Sequence, residues 1–297
     1  MSKPPSLTLP DCARAYRLRT GRGDFAVHEA RPDTEPRGTA LLVPGFTGSK
    51  EDFIGLLEPL AAAGFRTIAV DGRGQHESGG PRDELAYDQA ELAEDVLAQT
   101  AALGNGPVHL LGHSLGGLIT RAATLRAPAR FASLTLMSSG PAAISESQQA
   151  RTKLLIDALT VLDMEGVWRA IQEHDREDAA DATTPPAVRE FLHRRFVSNV
   201  PEQLIVTGRQ LIDEPDRVDQ LAAATPALPK HVLSGAVDYA WPVPLMDDMA
   251  VRLDAQRTVI DGTEHSPNAE RPAATAAALA DFWSQHDGHP GTGRTQN

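Results

Sequence analysis

A serine hydroxyl becomes a nucleophile only with a base to take its proton and a carboxylate to orient that base. The segment "GHSLGG" (112–117) offers such a serine at Ser114. Gly112 and Gly116 flank it at minus two and plus two. A strand that reverses sharply into a helix crowds its own backbone at those places, and glycine removes the side chains that would clash. The serine is then left at a helix N-terminus, where free N–H groups and the helix dipole favour developing negative charge. The flanks read as strand ("VHLLG", 108–112) and helix ("LGGLITRAATLRA", 115–127), the context a Gly-x-Ser-x-Gly nucleophile elbow requires. The same residues could also make a plain Gly-Ser turn, so the presence of partners decides.

Ten histidines are available as base. His113 adjoins Ser114 but should point away from it across the elbow. His265, in "DGTEHSPNAERP" (261–272), follows a strand and precedes the final helix. Loops at the C-terminal ends of strands are where sites in open sheets gather. A surface loop histidine is the competing reading. For the carboxylate, Asp238 in "VLSGAVDYAWP" (232–242) lies just past a buried strand and a Gly turn. Asp247 and Asp248 compete but fall on a helix with a solvated face, and Asp261 beside Gly262 reads as a turn residue. The resulting order, Ser114, Asp238, His265, is that expected for the hydrolase form of the triad. The tetrahedral oxyanion needs backbone donors. Leu115 should supply one and the loop "PGFTGS" (44–49) the other, from Phe46 in preference to Thr47.

These groups need a scaffold, and the sequence alternates strand-like and helix-like segments. An early hairpin ("ARAYRLRT", "DFAVHEA") is followed by apolar strand runs at "TALLVPG", "FRTIAV", "VHLLG" and "FASLTLMSS", with helical periodicity between them. Such alternation predicts a mostly parallel sheet with helices on both faces. The rhythm breaks after Gly140. Residues 141–229 read as helical and charged, and the strands and helices resume at "KHVLSG", "VPLMDDMAVRLDA", "QRTVIDG" and "RPAATAAALADFWSQH". The predicted organisation is a core of residues 12–140 and 230–285, a helical insertion over 141–229, and flexible tails at 1–11 and 286–297. Paired histidines in the C-terminal tail are read as part of a disordered segment rather than a metal site.

Composition narrows the partners. The chain has 297 residues, with 41% apolar and 23% charged, the profile of a globular protein. Its formal net charge of -12 argues against nucleic acid as the main partner, because phosphate binding needs a basic face. No apolar leader is read at the N-terminus and no run is long enough for a membrane span. The lone Cys12 is read as a bystander thiol, and the cytoplasm as the default compartment.

Taken together, "PGFTGS" (44–49), "DGRGQHES" (71–78), "GHSLGG" (112–117), and "GAVDYAWP" (235–242) with "GTEHSPNAERP" (262–272) resemble the alpha/beta-hydrolase superfamily. The resemblance covers about residues 38–140 and 230–285. It implies an α/β fold, a parallel central sheet flanked by helices with a helical cap, and a serine-nucleophile, esterase- or lipase-like activity on a small-molecule acyl substrate. No cofactor and no metal are implied. In two places the chain departs from the family pattern. Pro44-Gly45 stands where members often carry His-Gly, and Gln75-His76 replaces His-Gly in the pattern D-x-R-G-H-G-x-S. Asp71 and Arg73 are expected to hold that loop, and His76 to lie at its surface, with the pocket rim as the alternative. The insertion corresponds to the family's variable cap, which can shape and gate a pocket. Leu154, Leu155, Leu159, Leu162, Trp168, Phe191, Leu192 and Phe196, with Trp241, are its candidate lining residues.

The leading function is therefore hydrolysis of an ester, thioester or lactone. A serine at the elbow argues against dehalogenases and epoxide hydrolases of this fold, which place aspartate there. Perhydrolases and acyltransferases keep the serine triad and remain alternatives. An aminopeptidase would need acidic residues near the substrate amine, for which "EHDREDAAD" (173–181) is the candidate run. A ligand-binding receptor with little turnover is the alternative from a different class.

Overall fold

The computed structural model describes residues 1–104, 106–175 and 184–286. Strands β1 (Ala13–Thr20) and β2 (Gly23–Ala30) form the expected antiparallel hairpin, turning at Gly23, whose φ of 131° suits glycine. The apolar runs become β3 (Gly38–Val43), β4 (Phe65–Val70), β5 (Val108–His113), β6 (Phe131–Met137), β7 (Lys230–Gly235) and β8 (Gln256–Ile260). They assemble in the order β1-β2-β4-β3-β5-β6-β7-β8. The pairs from β4–β3 through β7–β8 are parallel, and β2 joins β4 antiparallel.

Parallel neighbours need crossover connections, and helices supply them. Between the first strands run α1 (Ile54–Ala62), α2 (Gln89–Leu103) and α3 (Leu115–Arg126). Between β6 and β7 come α4 (Glu146–Val161), α5 (Met164–Asp175), α6 (Pro186–Val197), α7 (Pro201–Asp213) and α8 (Val218–Ala224), with no strand among the described residues there. The chain then adds α9 (Val243–Arg252), α10 (Pro267–Glu270) and α11 (Pro272–Ser284). A 3-10 turn over Lys50–Phe53 leads into α1. The short α10 has no apolar period to announce it. Pro267 starts it, and the Glu270 carboxylate folds back onto the Glu264 and Ser266 N–H groups.

Residue alternation assigns the two faces of the sheet. Leu41, Val43, Leu110 and Val232 face α2, α3 and α9, joining a cluster with Val96, Leu118 and Met249. Ala40, Leu42, Leu111 and Leu233 face the other way, joining Leu56 and Leu60 of α1 and Leu279, Phe282 and Trp283 of α11. The central strands β3 to β7 are buried on both sides, which is why their middles read as apolar runs, while the edge strands β1 and β8 are exposed or half-buried over most of their length.

The helices between β6 and β7 have a core of their own, built on Ile156, Leu159, Val167, Phe196, Leu204 and Ile205. They are joined to the rest of the molecule by Val206, Leu211, Val218 and Leu221, which enter the main core, and by buried polar contacts. Arg195 of α6 pairs with Asp52 at 2.6 Å, both side chains fully buried, and it donates to the Ser2 carbonyl at 2.8 Å. Arg121 of α3 pairs with Glu214, just past α7, at 2.9 Å. Residues 1–11, read as a loose tail, carry no regular element but are pinned by the Arg195–Ser2 bond and by Lys3 donating to Thr184 Oγ1 at 2.9 Å. Of the expected C-terminal tail, residues 287–297 lie outside the described residues, as does most of the acidic run at 173–181. No helix among the described residues is long and apolar enough to cross a membrane.

Burial holds three histidines in the neutral form. It lowers His28 to about 4, His113 to about 4 and His231 to about 3. In the unfolded chain each titrates near its ordinary value of about 6.5. A folded-state pKa below the unfolded one contributes stability above about pH 6.5 that drains away as pH falls toward the folded value. The thermal midpoint is therefore expected to fall progressively from about pH 6.5 to about pH 4. His231→Phe, placed where the ring already packs on Phe282 at 4.6 Å, should make that fall shallower. Circular dichroism melts across the pH series check this, and identical slopes for the two proteins would contradict it.

Candidate active site

Ser114 sits between β5 and α3 with φ 55° and ψ −121°, a conformation side chains rarely adopt. Sterics on both sides hold it there. A Cβ on Gly112 would collide with the Gly116 carbonyl, and a Cβ on Gly116 with the Val43 carbonyl at the end of β3. The Ser114 N–H donates to the Met137 carbonyl at 2.9 Å, fastening the turn to the end of β6. Leu115 is the first residue of α3, so no carbonyl within its own helix takes its N–H. Its side chain is buried in the core, and what it presents to the site is backbone.

The other expected groups arrive on separate loops at the same sheet edge. His265 Nε2 lies 3.0 Å from Ser114 Oγ, and His265 Nδ1 lies 2.8 Å from Asp238 Oδ2. The second oxygen of Asp238 accepts from the Ala240 and Trp241 N–H groups at 2.8 and 3.1 Å, so the carboxylate has little freedom to turn. The His265 loop crosses the end of β7 so closely that a Cβ on Gly235 would strike the Glu264 carbonyl. Asp247 instead pairs with Arg257 at 2.8 Å, and Asp248 approaches Arg252 at 3.7 Å. The Gly45–Phe46 peptide packs against the elbow, where a Cβ on Gly45 would stand 3.1 Å from Ser114 Cβ. Ser114, His265, Asp238, Leu115 and Phe46 are thus brought together.

Two neighbours of the triad gain roles that the residue pattern had not suggested. His113 does point away from Ser114, and its Nε2 donates to the His265 backbone carbonyl at 2.8 Å. Burial, reinforced by nearby His265, keeps that ring neutral. Tyr239 lays its ring 4.9 Å from the His265 ring. Burial, with Asp238 adding to it, pushes its phenol up to about 12, so it stays neutral beside the site. Adjacency in sequence was the only available signal for both.

The departed loop is resolved by its contacts. Asp71 accepts from the Lys50 N–H at 2.7 Å and from its ammonium at 2.9 Å. Arg73 pairs with Asp95, which Arg22 also engages at 2.7 Å. His76 takes a positive φ of 40° where the family pattern has glycine. Its ring turns away from the cavity, with Nδ1 3.0 Å from Ser198 Oγ and the ring in a T-shaped contact with Phe191. Gln75 turns inward and donates to the Gly45 carbonyl at 2.8 Å.

A cavity opens over Ser114 and His265, and a second adjoins it. The first, about 160 Å³, is lined by Gly45, Phe46, Thr47, Ser114, Tyr239 and His265, with Gln148 and Thr152 from α4. The other, about 360 Å³ and largely apolar, lies among Leu154, Leu155, Ala158, Val167, Ile171 and Phe196. Met1, Phe46, Thr47 and Thr152 border both. Of the expected lining residues, Leu154, Leu155 and Phe196 reach a cavity, and the others are corrected by their packing. Leu159 belongs to the small core of the inserted helices. Trp168 packs on His193 and Phe196, and Phe191 lies between His76 and Arg195. Leu192 is buried and Leu162 is exposed. Trp241 is fully buried and donates its indole N–H to the Ala142 carbonyl at 2.8 Å. No cluster of metal-ligating side chains occurs among the described residues.

Comparison with known proteins agrees with this geometry. A family model described as alpha/beta hydrolase fold matches residues 40–170. A monoacylglycerol lipase of Mycolicibacterium smegmatis is 29% identical over 246 residues, spanning 79% of this chain and 83% of the lipase. A 2-hydroxy-6-oxononadienedioate/2-hydroxy-6-oxononatrienedioate hydrolase of Cupriavidus pinatubonensis is 28% identical over 93% of this chain and 97% of its own length. Among solved structures, a thermophilic esterase from Thermogutta terrifontis superposes with a TM-score of 0.74 at 22% identity, covering 93% of this chain and all of that one (100%). With the eight-stranded sheet and the strand–elbow–helix in place, the chain has the alpha/beta-hydrolase fold.

Proposed function

We propose that the chain is a serine hydrolase that cleaves a carboxylic ester, thioester or lactone through an acyl-enzyme on Ser114. The observation that carries this reading is the unbroken hydrogen-bonded line from Ser114 Oγ through His265 to Asp238. Asp238 holds the Nδ1 proton of His265, which leaves Nε2 free to accept the serine proton. Ser114 Oγ attacks the substrate carbonyl, and the N–H groups of Leu115 and Phe46 receive the oxyanion. His265 returns the proton to the leaving group, and water then repeats the sequence to release the acid. Relatives named as a lipase and, by fold, as an esterase support hydrolysis as the general reaction.

The helices over 141–229 serve in this reading as a cap on a core of residues 12–140 and 230–285. The polar cavity takes the reacting carbonyl, and the apolar cavity beside it takes a hydrocarbon portion of the substrate. A small molecule is the partner, in keeping with a net charge of -12 that disfavours nucleic acid.

Ser114→Ala is expected to abolish both turnover of p-nitrophenyl butyrate and labelling by a fluorophosphonate, and undiminished turnover would sink the reading. Asp238→Asn supplies a finer test. The asparagine oxygen can keep the Ala240 and Trp241 bonds, but its NH₂ would face His265 Nδ1 and force the imidazole proton onto Nε2. That tautomer cannot accept the serine proton, so kcat should fall by about 10⁴ while the thermal midpoint holds. A drop of less than about tenfold would assign the base a different orienting group.

A further inference from the structure

The Gln75 side chain is 5% exposed and uses both ends of its amide. Oε1 accepts the Gly72 N–H at 3.0 Å, and Nε2 donates to the Gly45 carbonyl at 2.8 Å. The Phe46 carbonyl lies farther from Nε2, at 3.4 Å. Only one orientation of the amide meets both main partners, since an N–H needs an acceptor and a carbonyl needs a donor.

The Gly45 carbonyl and the Phe46 N–H belong to one peptide group. That group is trans, so its oxygen and hydrogen point to opposite sides of a rigid plane. Holding the oxygen on one side aims the hydrogen on the other. The Gly48 N–H also reaches this oxygen, at 3.1 Å, from within the loop itself, while Gln75 holds it from a different loop. Hydrogen bonding at the oxygen further polarises the amide and strengthens its N–H as a donor.

We propose that Gln75 is a positioning residue: its side-chain amide orients the Gly45–Phe46 peptide so that the Phe46 N–H faces the oxyanion formed on Ser114. This rests on the reading of Phe46 as an oxyanion donor. Gln75 touches no reacting atom and acts only through that peptide. Its chemistry explains why an amide suits the place. A carboxylate offers acceptors alone and would repel the Gly45 carbonyl, and an apolar side chain offers nothing to either partner.

The test compares Gln75→Met and Gln75→Glu with the parent on p-nitrophenyl butyrate. Removing an oxyanion donor costs about 10²–10³ in rate, and loosening one should cost about tenfold in kcat with KM nearly unchanged, because the oxyanion exists only in the transition state. Gln75→Glu adds a readout that a general loss of fold would not move. Its carboxylate lacks a donor at about pH 8, but the protonated acid has one O–H donor and one carbonyl acceptor, like the amide it replaces. The kcat deficit of Gln75→Glu relative to parent should therefore shrink as pH falls toward about 5.5. Asp71 and His76 lie on the same loop, with Arg73 and Asp95 beside the small cavity that Gln75 lines, and Gln75→Met, which introduces no charge, supplies the pH baseline for them. Either variant retaining kcat within about twofold of parent at about pH 8 would overturn the proposal. So would a loss expressed mainly in KM, or a Gln75→Glu deficit that is the same at every pH. If Gln75→Glu does not fold, Gln75→Met decides through the kcat and KM split; if neither folds, Gln75 serves the fold and the proposal fails. Parent-like rates in both variants beside an inactive Ser114→Ala would remove the positioning role and leave the serine mechanism standing.

Discussion

The arrangement depends on one close approach of backbones. The start of α3 lies against the end of β3 with no room for a side chain between them, because Gly116 meets the Val43 carbonyl directly. Everything reactive is gathered by that contact. It forces Ser114 into its left-handed conformation, and it brings the loop after β3 against the elbow, so that Gly45 abuts Ser114. The third loop reaches the same place by the same device, with Gly235 letting the His265 segment cross the end of β7. Three loops from non-adjacent parts of the chain thus meet with the precision of strand ends, since each leaves a hydrogen-bonded and doubly covered sheet.

Below this edge lie buried charges that a hydrolytic reaction does not itself require. Lys50 is surrounded by Asp71, Glu51 and Glu77 at 2.8–2.9 Å. Burial alone would pull its pKa down, but Asp71 and Glu51 outweigh it and raise the value, so the ammonium stays charged. The loop carrying Phe46 leads directly into Lys50, and the loop carrying Gln75 begins at Asp71. Their ion pair therefore fastens together the two segments that Gln75 also bridges. Buried ion pairs add little net stability but penalise any geometry that parts them. Here that penalty falls on displacement of the Phe46 loop relative to the Gln75 loop.

The strands and the elbow were legible in the sequence because each rests on a local rule. β4 and β7 span the same residues as the runs "FRTIAV" and "KHVLSG", whose apolar centres mark strands covered on both faces even where Thr67, His231 and Ser234 are buried among them. Ser114, Asp238 and His265 were found from chain order and strand ends. The geometry joins them through hydrogen bonds that no spacing rule predicts. The cavity lining was largely illegible. Trp168, Phe191 and Trp241 are large and apolar, as lining residues should be, but such side chains satisfy intramolecular packing equally well, and here they do. Residues that do line the polar cavity, such as Gln148, Thr152 and Tyr239, are polar and carry no pattern. Gln75 was visible only as a departure from a motif; the partner that gives it meaning is thirty residues away in sequence (|i−j| = 30).

Reaction and selection are built on different supports. The groups proposed to perform the chemistry leave a sheet that is buried on both faces and crossed by backbone hydrogen bonds. The groups that border the apolar cavity ride mainly on α4, α5 and α6, which keep their own small core around Val167 and Phe196. Arg195 of α6 ties them to Asp52, whereas α7 and α8 pack Val206, Leu211, Val218 and Leu221 into the main core, beside the Glu214–Arg121 pair. Substitutions within their core can reshape the apolar cavity while the Ser114–His265–Asp238 line keeps its distances, because no member of that line packs in that cluster. Phe46 is the exception, since it packs against the helical cluster and borders both cavities, while its backbone lies beside Ser114. A bulky occupant of the apolar cavity would press on that side chain. In the proposed mechanism, the Gln75 amide and the Lys50–Asp71 pair resist the resulting movement of the peptide, and so keep an occupant of the apolar cavity from disturbing the proposed Phe46 donor.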